Sequence, residues 1–262
     1  MRDPDLNASV SKVPQVTLGF WIIKILATTL GETGGDAVTM SWLGETTSEA
    51  QGTGYLIGTG IFAVIFIVAV LMQIRAKKFH PFLYWLTIIA TTTVGTTLAD
   101  YCTRSLGIGY TGGSTILLIC VVASLLVWRW STGSISIETV STPKVEMFYW
   151  MTIMFSQTLG TALDDWVADT NEMGYLGAAA VFGGLLLLTA LLYYFTSFSR
   201  VLLFWTAFIL TRPLGATVGD FLDKPIMEGG LALSRYTASI ALLLVIVVLI
   251  LILPQKPASK AH

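Results

Sequence analysis

The chain has 262 residues, 54% of them hydrophobic and 12% charged, with a formal net charge of −1. A soluble domain carries about a quarter charged residues, so the composition is that of an integral membrane protein, and the charge balance offers nothing to a nucleic acid. Two cysteines, Cys102 and Cys120, and two histidines, His80 and His262, exclude a disulfide framework, a thiolate cluster and chemistry built on histidine.

Residues 1–16 are polar and read as a cytoplasmic tail without a cleavable signal peptide. Apolar runs long enough to cross a bilayer follow at about 17–38, 54–75, 81–103, 113–130, 146–167, 175–198, 200–222 and 231–253. They form a single membrane domain over 17–253, and residues 254–262 make a second tail. The expected fold is an all-α integral membrane protein with eight transmembrane helices.

The odd-numbered segments share a pattern. Trp21–Asp36 reads WIIKILATTLGETGGD, Trp85–Asp100 WLTIIATTTVGTTLAD, Trp150–Asp165 WMTIMFSQTLGTALDD and Trp205–Asp220 WTAFILTRPLGATVGD. Each opens on Trp, carries Gly at the tenth position after it and Asp at the fifteenth. A fixed spacing repeated along a chain marks an internal repeat, here a helix pair spanning 17–78, 79–143, 144–199 and 200–253. A two-helix unit returns the chain to its starting side, so all four copies share one orientation, as parallel repeats do. The expectation is a pseudo-fourfold arrangement with odd helices inside and even helices outside, and with Asp36, Asp100, Asp165 and Asp220 at one depth.

Lys and Arg set the orientation. Arg2, Lys12, Arg75, Lys77, Lys78, Arg129, Lys144, Arg200, Lys256 and Lys260 fall on the side of the chain ends; Arg104, Lys224 and Arg235 fall opposite. Both termini are therefore expected in the cytoplasm, with each Trp as an interfacial anchor. Each Asp then lies about 22 Å further on, toward the outer face. Glu45, Glu49, Asp169, Glu172, Asp223 and Glu228 gather there as loop charges.

Positions ten and fourteen read Gly31/Gly35, Gly95/Ala99, Gly160/Asp164 and Gly215/Gly219. Three of these are small-xxx-small pairs that let membrane helices approach closely. Beside them run hydroxyls leading to the carboxylate: Thr29, Glu32, Thr33 and Asp36, then Thr93, Thr96, Thr97 and Asp100, then Thr158, Thr161 and Asp165, then Thr217 and Asp220. Intramembrane charges are costly and mark ion or substrate pathways by default. Asp36, Asp100, Asp165, Asp220 and Glu32 are the candidate metal ligands. Thr29, Thr93, Thr158, Thr161, Lys24, Arg212 and Asp164 are the candidate pathway residues. Oxygen-only ligands suit Mg²⁺, Ca²⁺ or Mn²⁺. A closed ring makes the first and fourth copies neighbours and predicts a Glu32–Arg212 ion pair across their seam, with Lys24 a turn below as an internal counter-ion.

Four tandem Trp-marked two-helix repeats over residues 17–253 resemble a family of bacterial integral membrane proteins of unknown function that is defined by this repeat. The resemblance implies the architecture and an inner-membrane location, and no activity. Glu32-Thr-Gly-Gly-Asp36 also looks like the Glu-x-Gly-Asp-Lys/Thr motif of a separate family of manganese and calcium exporters, with one extra Gly and with Ala37 at the basic position.

Together these features predict a transporter or exporter of a divalent cation, Mn²⁺ by preference, coupled to protons through crowded carboxylates. The expected partners are the bilayer, the cation and protons; no cofactor is expected, and an oligomer is compatible. A passive cation channel, a small-solute carrier, a sensory or structural protein, and an intramembrane aspartyl-type enzyme built on Asp164/Asp165 and Gly219-Asp220 are the alternatives.

Overall fold

The computed structural model describes residues 11–45, 53–170 and 173–258. Arg2, Glu49, Glu172 and Lys260 lie outside them, as does the side chain of Asp169. Eight α-helices account for most of the described chain: α1 Leu18–Asp36, α2 Thr53–Arg75, α3 Pro81–Asp100, α4 Gly109–Thr132, α5 Pro143–Asp165, α6 Gly174–Phe195, α7 Arg200–Asp223 and α8 Arg235–Ile252. Local chemistry sets their starts. Thr17 Oγ1 accepts from Phe20 N at 3.2 Å at the head of α1, and α3 and α5 open on proline, whose missing N–H costs nothing in a first turn. Gly133, at φ 82°, ends α4 in the left-handed region. α8 begins later than its apolar run, because Leu231 and Leu233 donate backbone hydrogen bonds to Phe221 and Leu222 and belong to a loop folded back on α7.

Six helices are long and apolar enough to cross a membrane: α2, α3 with the turn that follows it, α4, α6, α7 and α8. α1 and α5 fall short because polar and charged residues interrupt them, Lys24, Glu32 and Asp36 in α1 and Lys144, Glu146, Asp164 and Asp165 in α5. Those polar faces are turned inward. α1 packs on α3, α3 on α5, α5 on α7 and α7 on α1, a closed cycle. The even helices pack outside it: 72% of the most apolar stretch of α3 is buried, against 17% for α2 and α8. Their outward faces carry exposed Val64, Ile119, Leu187 and Leu244, as a helix facing lipid requires.

The sequence repeat and the packing pair are offset by one helix. Each even helix lies chiefly against the odd helix of the next copy: α2 on α3, α4 on α5, α6 on α7, and α8 back on α1. No copy buries its own apolar surface alone, as is usual for repeats. α8 joins the two ends of the array.

The first and last described segments meet at the side where the odd helices begin. Gln15 N donates to Lys256 O, and Ala258 N to Val13 O, each at 2.8 Å. Lys12 Nζ donates to the Gln73 and Ile74 carbonyls at the end of α2 and pairs with Glu146 Oε1 at 2.6 Å. Ammonium groups favour such exposed C-terminal carbonyls.

A candidate ion site on the ring axis

One stripe of each odd helix defines the axis. Taken from each Trp at positions −1, 3, 7, 11 and 15, it reads Phe20, Lys24, Thr28, Glu32, Asp36 in α1; Tyr84, Ile88, Thr92, Thr96, Asp100 in α3; Tyr149, Ile153, Gln157, Thr161, Asp165 in α5; and Phe204, Phe208, Arg212, Ala216, Asp220 in α7. All but Phe204 are buried. Residues four apart share a helix face, so the axis is a stack of layers about 6 Å apart.

The lowest layer is aromatic and closed on itself. Phe20 lies 5.4 Å from Trp85, Tyr84 5.7 Å from Trp150, Tyr149 6.1 Å from Trp205, and Phe204 6.4 Å from Phe20, between ring centroids. The Tyr84 and Tyr149 hydroxyls share a hydrogen bond of 2.6 Å. Trp85, Trp150 and Trp205 are therefore core residues, not the interfacial anchors expected of them; only Trp21 is half-exposed. The cause is the aromatic residue preceding each Trp. The dipeptide puts one ring on the axis and the other against the neighbouring helix, a signal legible in the sequence and missed there.

The glycines at position ten set the helix separation. A Cβ at Gly31 would lie 2.2 Å from Thr92, at Gly160 2.1 Å from Arg212, at Gly215 2.0 Å from Thr28, and at Gly95 3.0 Å from the backbone of Gln157. Each glycine thus meets position seven of the following copy, and the last meets the first. Such contacts let backbones approach.

At position eleven the ring converges on one ion pair. Arg212 Nη2 donates to Glu32 Oε2 at 2.9 Å, to Thr96 Oγ1 at 2.6 Å and to Thr161 Oγ1 at 2.5 Å. Thr96 also donates to Glu32 Oε2 at 3.2 Å. The Glu32–Arg212 pair across the seam is present, as expected, and all four odd helices meet there: Ala216, small at the position that holds Glu or Thr elsewhere, belongs to the same helix as Arg212. By contrast Thr29, Thr93 and Thr158 donate to carbonyls four residues back in their own helices, a common use of intrahelical hydroxyls.

The four aspartates form two clamped pairs. Arg104 Nε lies 2.8 Å from Asp100 Oδ1, and its Nη2 2.9 Å from Asp165 Oδ1. Lys224 Nζ lies 2.5 Å from Asp36 Oδ2 and 3.1 Å from Asp220 Oδ1. Arg235 reaches Asp223 at 3.4 Å and Asp36 at 4.0 Å. The three cations placed opposite the chain ends by sequence thus all turn inward. Arg104 and Lys224 each stand four residues after the Asp of the second and fourth copies, an Asp-x-x-x-Arg/Lys spacing that sequence reasoning passed over. Both carry the Asp of the following copy as second partner. Burial works against the Lys224 ammonium, but Asp220, Asp36 and Asp223 outweigh it and hold the group well above the ordinary lysine value. Asp36, Asp100 and Asp165 each close their α-helix at a switch to a π-helical turn, over Ala37–Trp42, Tyr101–Ser105 and Trp166–Thr170; π turns of this kind gather at functional sites.

Between this layer and the one below it, Glu32, Asp36 and Asp220 bring one carboxylate oxygen each to within 4.8 Å of one another, all buried. Asp164 lies one residue off the stripe, buried beside Thr217. A cavity of about 320 Å³ opens over the layer, lined by Arg104, Asp165, Tyr175, Asp220, Lys224 and Glu228. On and around the axis, the buried carboxylates Glu32, Asp36, Asp100, Asp164, Asp165, Asp220 and Asp223 outnumber the cations Lys24, Arg104, Arg212, Lys224 and Arg235. The axis carries an excess of negative charge at one end.

A family model described as Repeat of Unknown Function (DUF347) matches residues 19–79, 83–134, 148–199 and 203–254. The chain belongs to the DUF347 repeat family. The DUF347 unit pairs each odd helix with the even helix after it, so it is the unit of sequence and not the unit of packing. No curated protein and no solved structure matches the chain.

Proposed function

We propose that the protein is a membrane carrier that moves a divalent cation, Mn²⁺ by preference, in exchange for protons. The observation that carries this reading is the buried Glu32, Asp36 and Asp220 cluster, which lies against an open cavity lined by Asp220 and Lys224. Three carboxylates without a nitrogen or sulfur ligand match hard divalent cations. The cation is cargo and meets an internal competitor. Lys224 holds Asp36 and Asp220 while no cation is present, and must swing toward the cavity when one binds. Arg212 closes the path beneath by holding Glu32, Thr96 and Thr161. The release of Lys224 and of protons offsets the charge of the incoming ion.

In this reading all eight helices span the membrane as four parallel repeats about a pseudo-fourfold axis. α1 and α5 are tolerated there because their charges face the axis and not lipid. Both chain ends lie on the cytoplasmic side by the distribution of Lys and Arg, the bacterial inner membrane is what the family resemblance implies, and the cavity over the aspartates faces outward.

The test is ion flux into liposomes holding the purified protein, with Mn²⁺, Ca²⁺ and Mg²⁺ each tried with and without a pH gradient. Flux of Mn²⁺ that follows the gradient and falls at least tenfold in Asp36→Asn and in Asp220→Asn is the expected result. Absence of flux for every metal, or flux unchanged in both variants, overturns the assignment.

A further inference from the structure

The two layers below Glu32 hold polar groups that the acid cluster does not use. At position three Lys24 is completely buried among Ile88, Ile153 and Phe208 of the same layer. Its ammonium has no hydrogen-bond partner among the described residues; it stands 4.3 Å from the centroid of the Phe208 ring. At position seven Arg212 commits Nη2 to Glu32, Thr96 and Thr161 and leaves Nε and Nη1 without partners. The Thr92 hydroxyl and both amide atoms of Gln157, in that same layer, are also buried and unpartnered.

Every charge in these two layers is positive. The nearest carboxylate is Glu32, one layer higher and already bound to Arg212. Lys24 lies within electrostatic reach of Arg212, so an ammonium at that position meets a like charge in a dry interior. Buried charges without a counter-charge are strongly unfavourable, and a cation–π contact supplies only part of what lost hydration removes. The unused groups are nearly all donors: an ammonium, two guanidinium N–H groups, an amide NH₂ and a hydroxyl. Donors converging from several helices on a region of positive charge are complementary to an anion. A layer spacing of about 6 Å lets Lys24 and Arg212 share one monatomic ion.

We propose that a halide-sized monovalent anion binds on the axis between Lys24 and Arg212, held by the Lys24 ammonium, the free N–H groups of Arg212, the Thr92 hydroxyl and the Gln157 amide. The site is separate from the carboxylate cluster and does not depend on what that cluster carries. Under the carrier reading, the anion screens the two positive charges that a cation must pass.

Crystals of the full-length protein grown in bromide test this directly. A bromine anomalous peak between the α1 and α7 layers that hold Lys24 and Arg212 is expected. Thermal unfolding in detergent, at one ionic strength, should give a higher Tm in chloride or bromide than in gluconate. Lys24→Met should abolish that difference; Lys24→Arg and Asp36→Asn should keep it. No peak on the axis, or a halide response that survives in Lys24→Met, overturns the proposal. If Lys24→Met fails to fold, the anomalous map of the parent decides alone. Absence of metal flux would sink the carrier reading and leave the bromide result standing.

Discussion

Lys224 shows how one side chain can govern the acid layer. Its ammonium touches carboxylates from α1 and α7 at 2.5 and 3.1 Å and is itself buried. Removing one partner of a buried pair leaves an uncompensated charge and costs about 3–5 kcal/mol. Lys224→Met should therefore lower the unfolding temperature in detergent, and adding Asp36→Asn should restore part of the loss. The pH dependence has a defined sign. A cation held above its ordinary value in the folded protein contributes stability that is complete below the unfolded-state value and fades as pH rises through the folded one. The ordinary lysine value is 10.5, so the gap between parent and Lys224→Met should persist through neutral pH up to about 10 and shrink above it. A gap already lost near pH 8 would place the ammonium elsewhere.

At the scale of elements, the position-ten glycines convert four separate helices into a ring. Each meets position seven of the next copy, so the same contact is used at every seam. Gly95 approaches the Gln157 backbone, which cannot step aside, whereas a Cβ at Gly34 meets nothing nearer than Ser239 Oγ at 3.9 Å. Overpacking a tight site costs about 1–3 kcal/mol. Gly95→Ala should therefore be destabilised by that amount in thermal unfolding, with Gly34→Ala near neutral. Equal effects would mean that the loss does not arise from the α3–α5 seam, since alanine by itself favours a helix over glycine. The aromatic dipeptides act at the same scale: a ring at position −1 and the Trp after it lock neighbouring helices below the polar layers, an arrangement that interfacial anchors would not produce.

At the scale of the whole molecule, closure depends on the last helix packing on the first. Ser239 Oγ of α8 lies 2.9 Å from Thr33 Oγ1 of α1, within reach of a disulfide once both are cysteine. With Cys102 and Cys120 replaced, the double variant Thr33→Cys, Ser239→Cys should crosslink in membranes under mild oxidation and run as a compact monomer. Crosslinks found only between two copies of the chain would mean that the ring closes between protomers.

The sequence by itself determined the membrane class, the four repeats, the position of every helix to within a few residues, and the Glu32–Arg212 pair. These follow from hydropathy, from exact spacing and from the cyclic order that spacing implies, all of which are properties of the chain taken linearly. Three matters were decided only by the tertiary structure. Trp85, Trp150 and Trp205 are core because the rings before them close a belt, and that belt depends on where the neighbouring copies stand. Arg104, Lys224 and Arg235 clamp the aspartates, although charge counting only put them on the side opposite the chain ends, because the π turn after α3, the backbone beyond α7 and the start of α8 fold over the axis. Each even helix also covers the odd helix of the next copy, a choice that hydropathy cannot make because the apolar faces of α2, α4, α6 and α8 are chemically alike. Spacing along one chain records which residues share a helix face; only packing records which faces meet.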